Sequence, residues 1–250
     1  MSENYKESFE KTKKAGEIAA GALDEVAKII KPGIKTDIID KLCYEYIRDN
    51  GAYSAPLFYR GFPKSCCTST NHIVCHGIPS DKILKDGDIV NVDVTALKDG
   101  WHGDTSRTYE IGEVSVKAKK LVTTTFDAMM KAIKIIKEDV FLGDIGATIQ
   151  NHVEAEGFSV VQDFCGHGIG RHFHQEPNVL HYGKKGTGER IKAGMIFTVE
   201  PMINFGKYET RTLNDGWTAV TKDKSLSAQF EHTIGVTKDG YEIFTLSKQQ

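Results

Sequence analysis

The sequence predicts an α+β fold made of two helix–helix–sheet halves, because short segments recur along the chain in one order. Three pairs of segments form this repeat: KIIK at 28–31 and 134–137, LKDGDIVNVDV at 84–94 and IKAGMIFTVEP at 191–201, and DGW at 99–101 and 215–217. The first two pairs are separated by 106 and 107 positions. Similar segments at nearly one spacing indicate a duplicated unit, so we expect halves related by a pseudo-twofold axis around a central antiparallel sheet.

The halves are predicted to lie at about residues 5–111 and 112–246. No Pro/Gly/Ser-rich linker divides them, so we expect a single domain that spans residues 1–250.

The first half is predicted to begin with two helices. Apolar residues near helical spacing indicate a helix from about Lys6 to Lys31. A second helix is predicted from Thr36, as its N-cap, to Asn50, and Gly51 would end it. Extended segments are expected from there to about residue 111.

The composition argues against several function classes. The chain has 250 residues and a formal net charge of -2, with acidic and basic residues interleaved, which does not favour nucleic acid or an anionic membrane as partner. No apolar run is long enough to cross a bilayer, and the polar N-terminal stretch lacks a signal-peptide pattern. The five cysteines are odd in number and lack CxxC spacing, so we expect reduced thiols and a cytoplasmic location.

Two carboxylates in one predicted hairpin indicate a shared cation. Asp99-Gly100 is a two-residue turn signal, and counting back from it puts Asp93 opposite Ser106. Asp104 is then a diagonal neighbour of Asp93 on the same sheet face, roughly 7–8 Å away. A three-residue loop without a bulge would instead put the two acids on opposite faces.

The repeat adds further acids to this point. Glu200 is the counterpart of Asp93 at the offset of 107, and Glu231 lies in the apolar SAQFEHTIGV, predicted as a strand. A lone strand carboxylate is more often a surface or hydrogen-bonded residue, but four related by internal symmetry favour a pair of divalent ions. His167 is the best candidate for an imidazole ligand, on a turn where Gly166 and Gly168 allow close approach. An oxygen-rich set favours Mn, Fe or Co over a thiolate-type zinc site.

The other histidines have a surface or structural role as their default interpretation. From the residues alone this applies to His76 and His174, and also to His72, His102, His152, His172, His181 and His232.

Five motifs in one order resemble the bacterial kind of type I methionine aminopeptidase. They are VCHGIPSD, VNVDVTALKDGWHGDTSRTY, GHGIGRHFHQEP, FTVEPM and FEHT, and the similarity runs from about residue 5 to residue 246. The resemblance implies the pita-bread (creatinase/aminopeptidase) fold, in agreement with the repeat. It also implies a cytoplasmic metallo-exopeptidase that removes the initiator methionine from nascent proteins and peptides when the next residue is small.

The resemblance implies two divalent ions, Co, Mn, Fe or Zn, and a role for each ligand. The ions would be held by Asp93, Asp104, His167, Glu200 and Glu231, with Asp104 and Glu231 bridging. A metal-bound hydroxide would attack the scissile carbonyl, and Glu200 would also move the proton. His174 would hydrogen-bond the carbonyl oxygen, and His76 would contact the peptide nitrogen.

Further sites follow from the same resemblance. The methionine side chain would bind in a slot lined by Tyr59, Phe62, Cys67, Phe173 and Trp217, although aromatic residues and cysteines are usually just core. Asn71, Ser227 and the carbonyl of Ile73 match positions that can hold a monovalent cation.

The chain departs from the family pattern near the slot. Arg60-Gly61-Phe62 stands where many relatives have His-Gly-Tyr, so a hydroxyl is lost and a cation lies near the entrance. Pro56 stands where a cysteine is frequent. These changes bear on side-chain and inhibitor preference.

Two other functions compete with this interpretation. One is a peptidase of the same fold that cuts X-Pro bonds, but such relatives usually have a separate N-terminal domain for which this chain has no room. The other is a non-catalytic binding module, which the presence of all five ligands disfavours. The expected partners are nascent polypeptide N-termini, with transient ribosome association, and the expected state is a monomer with no membrane or specific nucleic acid partner.

Overall fold

A computed structural model describes residues 5–247, so the outermost residues of the predicted domain lie outside the described part. The first half begins with two helices, α1 (Lys6–Ile29) and α2 (Thr36–Asp49). Its strands are β1 (Tyr53–Ser54), β2 (Cys67–Thr70), β3 (Ile73–Cys75), β4 (Ile89–Lys98) and β5 (Trp101–Glu110), with a 3₁₀ turn at Tyr59–Gly61.

The second half repeats this order. Its helices are α3 (Val116–Lys134) and α4 (Leu142–Ala155). Its strands are β6 (Ser159–Val160), β7 (Gly166–Gly168), β8 (Gln175–Val179), β9 (Ile196–Val199), β10 (Met202–Asn204), β11 (Thr210–Thr212), β12 (Ala219–Thr221), β13 (Ser227–Gln229), β14 (His232–Val236) and β15 (Tyr241–Ile243). Helix–helix–sheet thus occurs twice, which confirms the predicted fold class.

The sheets are antiparallel, and one of them combines strands of both halves. In the first half, β4 pairs with β1, β2 and β5. In the second half, the strand order is β15-β14-β9-β7-β8, and smaller three-stranded sheets follow the orders β13-β10-β6 and β11-β12-β3. Strand β3 of the first half therefore pairs with β12 of the second, so backbone hydrogen bonds join the two halves.

The predicted hairpin register is confirmed. Strands β4 and β5 pair from Ile89 with Glu110 to Lys98 with Trp101, and Asp93 faces Ser106. The turn residues Asp99 and Gly100 have φ of 51° and 79°, as a two-residue turn of this hand requires. Because side chains alternate along a strand, the register brings Asp93 and Asp104 to the same face.

The start of α2 differs from the prediction. Thr36 is its first helical residue, and Lys35 is the N-cap. The Thr36 hydroxyl accepts a hydrogen bond from Ser80 N at 2.9 Å and donates one to Ser80 O at 3.1 Å. It therefore fixes the loop before β4 instead of capping its own helix. Gly51, with φ of 67°, follows the end of α2 as predicted.

Separate hydrophobic cores lie beneath the two helix pairs. One contains Leu23, Ile39 and Ile47 from α1 and α2, packed against apolar residues of β4 and β5. The other contains Leu121 and Ile149 from α3 and α4, packed against strands that include β9 and β14. Burying apolar helix faces on the outer side of each sheet leaves the inner sheet faces free for polar side chains.

Threonine hydroxyls join the inner faces along the midline. Thr105 donates to Glu231 O at 2.7 Å, and Thr233 donates to Asp104 O at 2.7 Å. The Thr233 hydroxyl also accepts from Asp104 N at 3.0 Å. Asp104 and Glu231, one from each half, are therefore held side by side. Among residues 5–247, no helix has the length and apolarity needed to cross a membrane.

Candidate active site

The sequence-predicted residues meet at a cavity of about 400 Å³ between the halves. All five predicted metal ligands, both predicted catalytic histidines and all five predicted slot residues line it. Pro56, Arg60 and Asp163 also contribute to its wall. The structure thus gathers into one place twelve residues that the sequence spreads from position 59 to position 231.

Three of the predicted ligands form a cluster with metal-binding geometry. Asp104, His167 and Glu231 are buried, and each offers one ligand atom within 4.8 Å of the others. His167 Nε2 lies 3.8 Å from Asp104 Oδ2 and 3.5 Å from Glu200 Oε1. The half-buried Asp93 lies close enough to Asp104 for its charge to raise the pKa of that carboxyl group. One imidazole nitrogen therefore faces carboxylates from both halves of the fold.

His167 lies on a strand, and the prediction of a turn is wrong. It is the middle residue of β7, and a bulge in the pairing with β8 follows it. The flanking glycines do allow close approach: a Cβ on Gly166 would lie 2.4 Å from Thr198 O, and one on Gly168 would lie 2.1 Å from Glu176 O. These close approaches let β9 and β8 pack directly against the backbone around the imidazole.

Glu231 lies in a break between strands, which also differs from the prediction. It is part of an isolated bridge to Ser106, after β13 has ended and before β14 begins. Ser106 N donates to Glu231 O at 3.4 Å, and Glu231 N donates to Ser106 O at 3.1 Å. The interruption makes the chain pair with β5 of the first half, and this brings the Glu231 carboxylate next to Asp104.

The donor set fits divalent cations. Glu231 Oε1 is buried and has no hydrogen-bond partner among the described residues. A buried carboxylate oxygen without a partner requires either a proton or a cation. Four carboxyl groups and one imidazole form an oxygen-rich set, as Mn or Fe sites in proteins often have.

Burial makes the carboxyl groups reluctant to ionise without a cation. It raises the pKa of Asp93 to about 7 and the pKa of Glu200 to about 8. The pKa values of Asp104 and Glu231 are also well above normal, first because of burial and then because of the charge of Asp93 on Asp104 and of Asp104 on Glu231. Burial lowers the pKa of His167 to about 4, so this imidazole is neutral at pH 7 and able to bind a cation.

Several polar residues that the sequence did not single out hold the cluster in place. Thr198 donates to Glu200 Oε1 at 2.7 Å, and its hydroxyl accepts from His167 N at 3.0 Å. Gln229 Nε2 donates to Glu200 Oε2 at 3.3 Å. Thr95 donates to Asp104 Oδ1 at 2.7 Å. Strand alternation could have identified Thr198, because it is two residues before Glu200.

Two histidines for which the sequence indicates only a surface or structural role also support the site. His181 is buried, and its Nε2 accepts from Glu200 N at 3.1 Å, which no local pattern indicated. His102 is buried on β5, two residues from Asp104 and hence on the same face. Its Nδ1 lies 2.9 Å from Gly170 O, and its ring stacks on Phe173 at 5.6 Å with an interplanar angle of 12°.

The predicted catalytic histidines both line the cavity and contact different aromatic neighbours. His174 Nδ1 is 3.0 Å from the Tyr59 hydroxyl, and its ring centroid is 4.3 Å from that of His167. Burial, and then the neighbouring His167, lower the pKa of His174 to about 3. His76 has φ of 56°, and its ring meets Phe164 and Trp217 edge-on at 5.5 and 6.2 Å. Burial lowers its pKa too, so both rings are neutral near pH 7.

Aromatic residues form the apolar part of the cavity. Tyr59 contacts Phe173 with ring centroids 4.9 Å apart, and Phe62 meets Trp217 edge-on at 5.2 Å. Cys67 on β2 pairs with Asp93 on β4, so its thiol lies at the border between this apolar wall and the acidic cluster. Burial raises the pKa of Cys67 well above normal, which keeps the thiol neutral. The wall therefore suits an unbranched apolar side chain with a polarisable atom.

The residues predicted for a monovalent cation lie outside this cavity. Asn71 O accepts from Ser227 N at 2.8 Å, and Ile73 is on the adjacent β3. The Asn71 amide donates to Asp88 Oδ1 at 2.8 Å and accepts from Ile89 N at 3.0 Å. Ser227 Oγ is buried without a hydrogen-bond partner among the described residues. Asn71 and Ser227 are therefore neighbours, but the amide is already engaged by the turn before β4.

Known proteins match the chain over nearly its whole length. The model of Metallopeptidase family M24 matches residues 10–238. The methionine aminopeptidase of Escherichia coli (strain K12) is 53% identical over 244 residues, which cover 97% of this chain and 92% of that protein.

Solved structures agree with this match. Methionine aminopeptidase from Rickettsia prowazekii aligns with a TM-score of 0.95 and 57% identity, covering 96% of this chain and 97% of that one. The structure from Thermotoga maritima aligns with a TM-score of 0.95 and 43% identity, with the same coverage. These comparisons confirm the resemblance that the five motifs indicated, the fold that it implies and the class of enzyme.

Proposed function

Because the chain belongs to metallopeptidase family M24, we propose that it hydrolyses the N-terminal methionine from nascent proteins and peptides whose second residue is small. The relatives named methionine aminopeptidase support this substrate. One observation carries the proposal: an acidic cluster with metal-binding geometry adjoins an aromatic slot in the same cavity. In such a cavity, a metal ion held by the acidic cluster would bind the free amine of a peptide. The aromatic slot would bind the first side chain of the same peptide.

We assign the five predicted ligands to two divalent ions. Asp104 and Glu231 would contact both ions, Asp93 would hold one, and His167 with Glu200 would hold the other. The buried, unpartnered Glu231 Oε1 supports this assignment. When bound, the ions would supply Lewis-acid activation of a water molecule and of the scissile carbonyl. Co, Mn, Fe and Zn are the candidate metals.

The side chains around the cluster would bind the peptide and move the proton. Glu200 is suited to proton transfer because its two oxygens are fixed by hydrogen bonds from Thr198 and Gln229. His174, which is neutral and oriented by Tyr59, would donate a hydrogen bond to the carbonyl oxygen as negative charge develops there. His76, which lines the same cavity, would contact the peptide nitrogen.

The same cavity would select the first residue of the substrate. A methionine side chain would lie among Tyr59, Phe62, Cys67, Phe173 and Trp217, where its sulfur can meet aromatic edges. The preference for a small second residue rests on the resemblance to the relatives named methionine aminopeptidase.

The remaining features of the proposal extend beyond the cavity. We treat residues 1–250 as a single catalytic domain with halves at about 5–111 and 112–246, acting as a cytoplasmic monomer on nascent chains near the ribosome. We also keep a monovalent cation at Asn71, Ile73 and Ser227 as part of the proposal. The buried hydroxyl of Ser227 is the observation that supports it.

The test is methionine release by metal-free protein titrated with Mn²⁺, Fe²⁺, Co²⁺ and Zn²⁺. Met-Ala-Ser is the substrate, and a Gly-Pro peptide reports cleavage of X-Pro bonds. We expect methionine release that depends on added metal, and no cleavage of the Gly-Pro peptide. Cleavage of the Gly-Pro peptide alone would favour an X-Pro peptidase. A protein that binds none of the ions and releases no methionine would contradict the proposal.

A further inference from the structure

An arginine side chain lies at the mouth of the cavity next to a predicted catalytic histidine. Arg60 is exposed and lines the cavity, and its guanidinium carbon is 5.4 Å from the centre of the Tyr59 ring. The hydroxyl of that ring is 3.0 Å from His174 Nδ1. Arg60 is also close enough to His174 for its charge to lower the pKa of that imidazole further. The positive charge therefore belongs to the wall that carries His174.

The backbone around Arg60 is fixed by its own hydrogen bonds. Arg60 is in the 3₁₀ turn at Tyr59–Gly61 and has φ of 47°, and Phe58 before it has φ of 66°. Phe58 N donates to Phe62 O at 2.8 Å, and Phe62 N donates to Tyr59 O at 2.9 Å. Left-handed conformations are uncommon for residues with side chains, so these bonds hold Arg60 in an orientation that it would not favour alone.

The guanidinium has no carboxylate partner among residues 5–247. Among these residues, no ion pair or hydrogen bond joins the guanidinium to an acidic side chain. The contact that the structure gives it is with the aromatic ring of Tyr59. The other charged group at the rim, Asp163, accepts a hydrogen bond from the Thr210 hydroxyl at 2.5 Å instead. The four acids at the bottom of the cavity interact with one another and with His167. Within the described part of the chain, the Arg60 guanidinium is therefore available to contact a carboxylate of a bound peptide.

The direction of a bound peptide tells which part of a substrate would meet this charge. This step rests on the proposed function, in which the amine and the first side chain bind at the acidic cluster and the aromatic slot, and His174 contacts the carbonyl oxygen of the cleaved bond. Arg60 stands beside His174 at the mouth, so it would face residues that follow the cleaved bond. The second residue is limited to small side chains, which makes the third residue the first that can present a charge.

We propose that Arg60 is a specificity-determining residue that favours substrates with a carboxylate beyond the cleaved bond. The carboxylate can be an acidic side chain at the third residue or the free carboxyl end of a short peptide. An Arg–carboxylate contact at an exposed rim is worth up to about 1 kcal/mol, so the expected preference is about three- to fivefold. A structural role alone, in which Arg60 only packs on Tyr59, would give no preference for charge.

The experiment compares kcat/KM for Met-Ala-Glu-Ser-amide, Met-Ala-Gln-Ser-amide and Met-Ala-Lys-Ser-amide with Mn²⁺-loaded enzyme. We expect the wild type to favour Glu over Gln about three- to fivefold and to disfavour Lys. In Arg60→Gln the ratio of Glu to Gln should approach 1, and in Arg60→Glu the order should invert. The preference should shrink in 0.5 M salt because exposed charges are screened. Free and amidated Met-Ala-Gln-Ser measure the contribution of the terminal carboxylate separately.

Arg190→Gln is the matched control. Arg190 also lies over an aromatic ring, 4.6 Å from the centre of Phe141, but it does not line the cavity. This variant should keep the wild-type ratio. Equal kcat/KM for the three peptides in the wild type, or an unchanged ratio in Arg60→Gln, would overturn the inference while leaving the proposed function intact. If Arg60→Glu is inactive on all peptides, the Glu-to-Gln ratio of kcat/KM in Arg60→Gln decides the test. Failure of the wild type to release methionine from any peptide would instead contradict the proposed function.

Discussion

At the bottom of the cavity, carboxyl groups that would each prefer water are packed against one another and against a neutral imidazole. Burial and the charge of Asp93 raise the pKa of Asp104, and burial and the charge of Asp104 raise the pKa of Glu231. Of these two residues, Asp104 has a hydroxyl partner, Thr95, on one of its oxygens. Burying like charges together is unfavourable unless a cation or protons compensate. At the scale of single residues, the cluster is therefore best explained by what it binds, and loss of one shared carboxylate should have a large effect.

We expect Asp104→Asn to bind fewer divalent ions than the wild type and to lose most of its activity. The asparagine keeps the size and one acceptor oxygen but removes the charge that two ions would share. The loss should equal or exceed the range of about 10²–10³-fold that follows removal of one transition-state donor. Metal content by mass spectrometry and methionine release from Met-Ala-Ser measure the two effects.

Asp99→Asn is the control for this change. Asp99 lies in the exposed turn of the same hairpin at φ of 51°, a conformation that asparagine also tolerates. This variant should retain its metal and its turnover. Near-normal turnover in Asp104→Asn would exclude a shared carboxylate at this position.

A second residue-scale prediction concerns His174. We expect His174→Ala to lower kcat on the order of 10²-fold, since it removes a hydrogen-bond donor needed as charge develops on the carbonyl oxygen. KM should change little. Tyr59→Phe, which removes only the hydroxyl that orients the ring, should have a smaller effect on kcat. A rise in KM with unchanged kcat in His174→Ala would show a role in substrate binding alone.

At the scale of elements, one hydroxyl connects two strands that carry predicted ligands. Thr198 on β9 accepts from His167 N on β7 and donates to Glu200 Oε1, just after β9 ends. It thereby fixes the distance between two groups that we assign to the same ion. Supporting hydrogen bonds of this kind usually contribute to metal affinity as well as to geometry.

Replacing this hydroxyl should weaken metal binding in a measurable way. We expect Thr198→Val to lower the affinity for Mn²⁺ by about 10- to 100-fold, as measured by calorimetry on metal-free protein. Thr198→Ser keeps the hydroxyl and should retain most of the affinity. Equal affinities in the two variants would indicate that the hydroxyl does not position the ligands.

Strand parity explains which elements of the site could be predicted from the sequence. The Asp99-Gly100 turn fixed the register of β4 and β5, and the repeat then gave Glu200 as the counterpart of Asp93. The same alternation places His102 on the face of Asp104, because the two residues are two positions apart on β5. Contacts between distant segments could not be predicted in this way. His181 accepts a hydrogen bond from Glu200 N although the two residues are 19 positions apart. The break at Glu231 depends on its bridge to Ser106 in the other half.

At the scale of the whole molecule, the site lies where the two halves meet. Asp93 and Asp104 come from β4 and β5, and the other predicted ligands come from the second half. Threonine hydroxyls and one isolated bridge join the halves at this point, but the carboxyl groups repel each other across it. A cation bound between them would join the halves, so metal binding should stabilise the fold, and by an amount that depends on pH.

The sign of this pH dependence follows from the pKa values. Asp93 and Glu200 have folded-state pKa values raised to about 7 and about 8, above ordinary values near 4. Their protonation stabilises metal-free protein fully below about pH 4, and this stabilisation is lost as pH rises through 7 to 8. Histidines with lowered pKa, such as His167 at about 4, act oppositely, because they destabilise the fold only as pH falls below about 6.5. The acids therefore dominate between pH 6.5 and 8.

We expect Mn²⁺ to raise the Tm more at pH 8.0 than at pH 6.5, because at pH 6.5 it must displace protons that already stabilise the cluster. At a concentration of about 100 times Kd the stabilisation is about 2.7 kcal/mol, or roughly 5–10 °C for a chain of this size. Calorimetry in buffers of different ionisation enthalpy should also detect proton release near pH 7. Asp104→Asn should show a smaller shift. A metal-induced Tm shift that is equal at both pH values, without proton release, would contradict buried protonated carboxyl groups at the junction of the two halves.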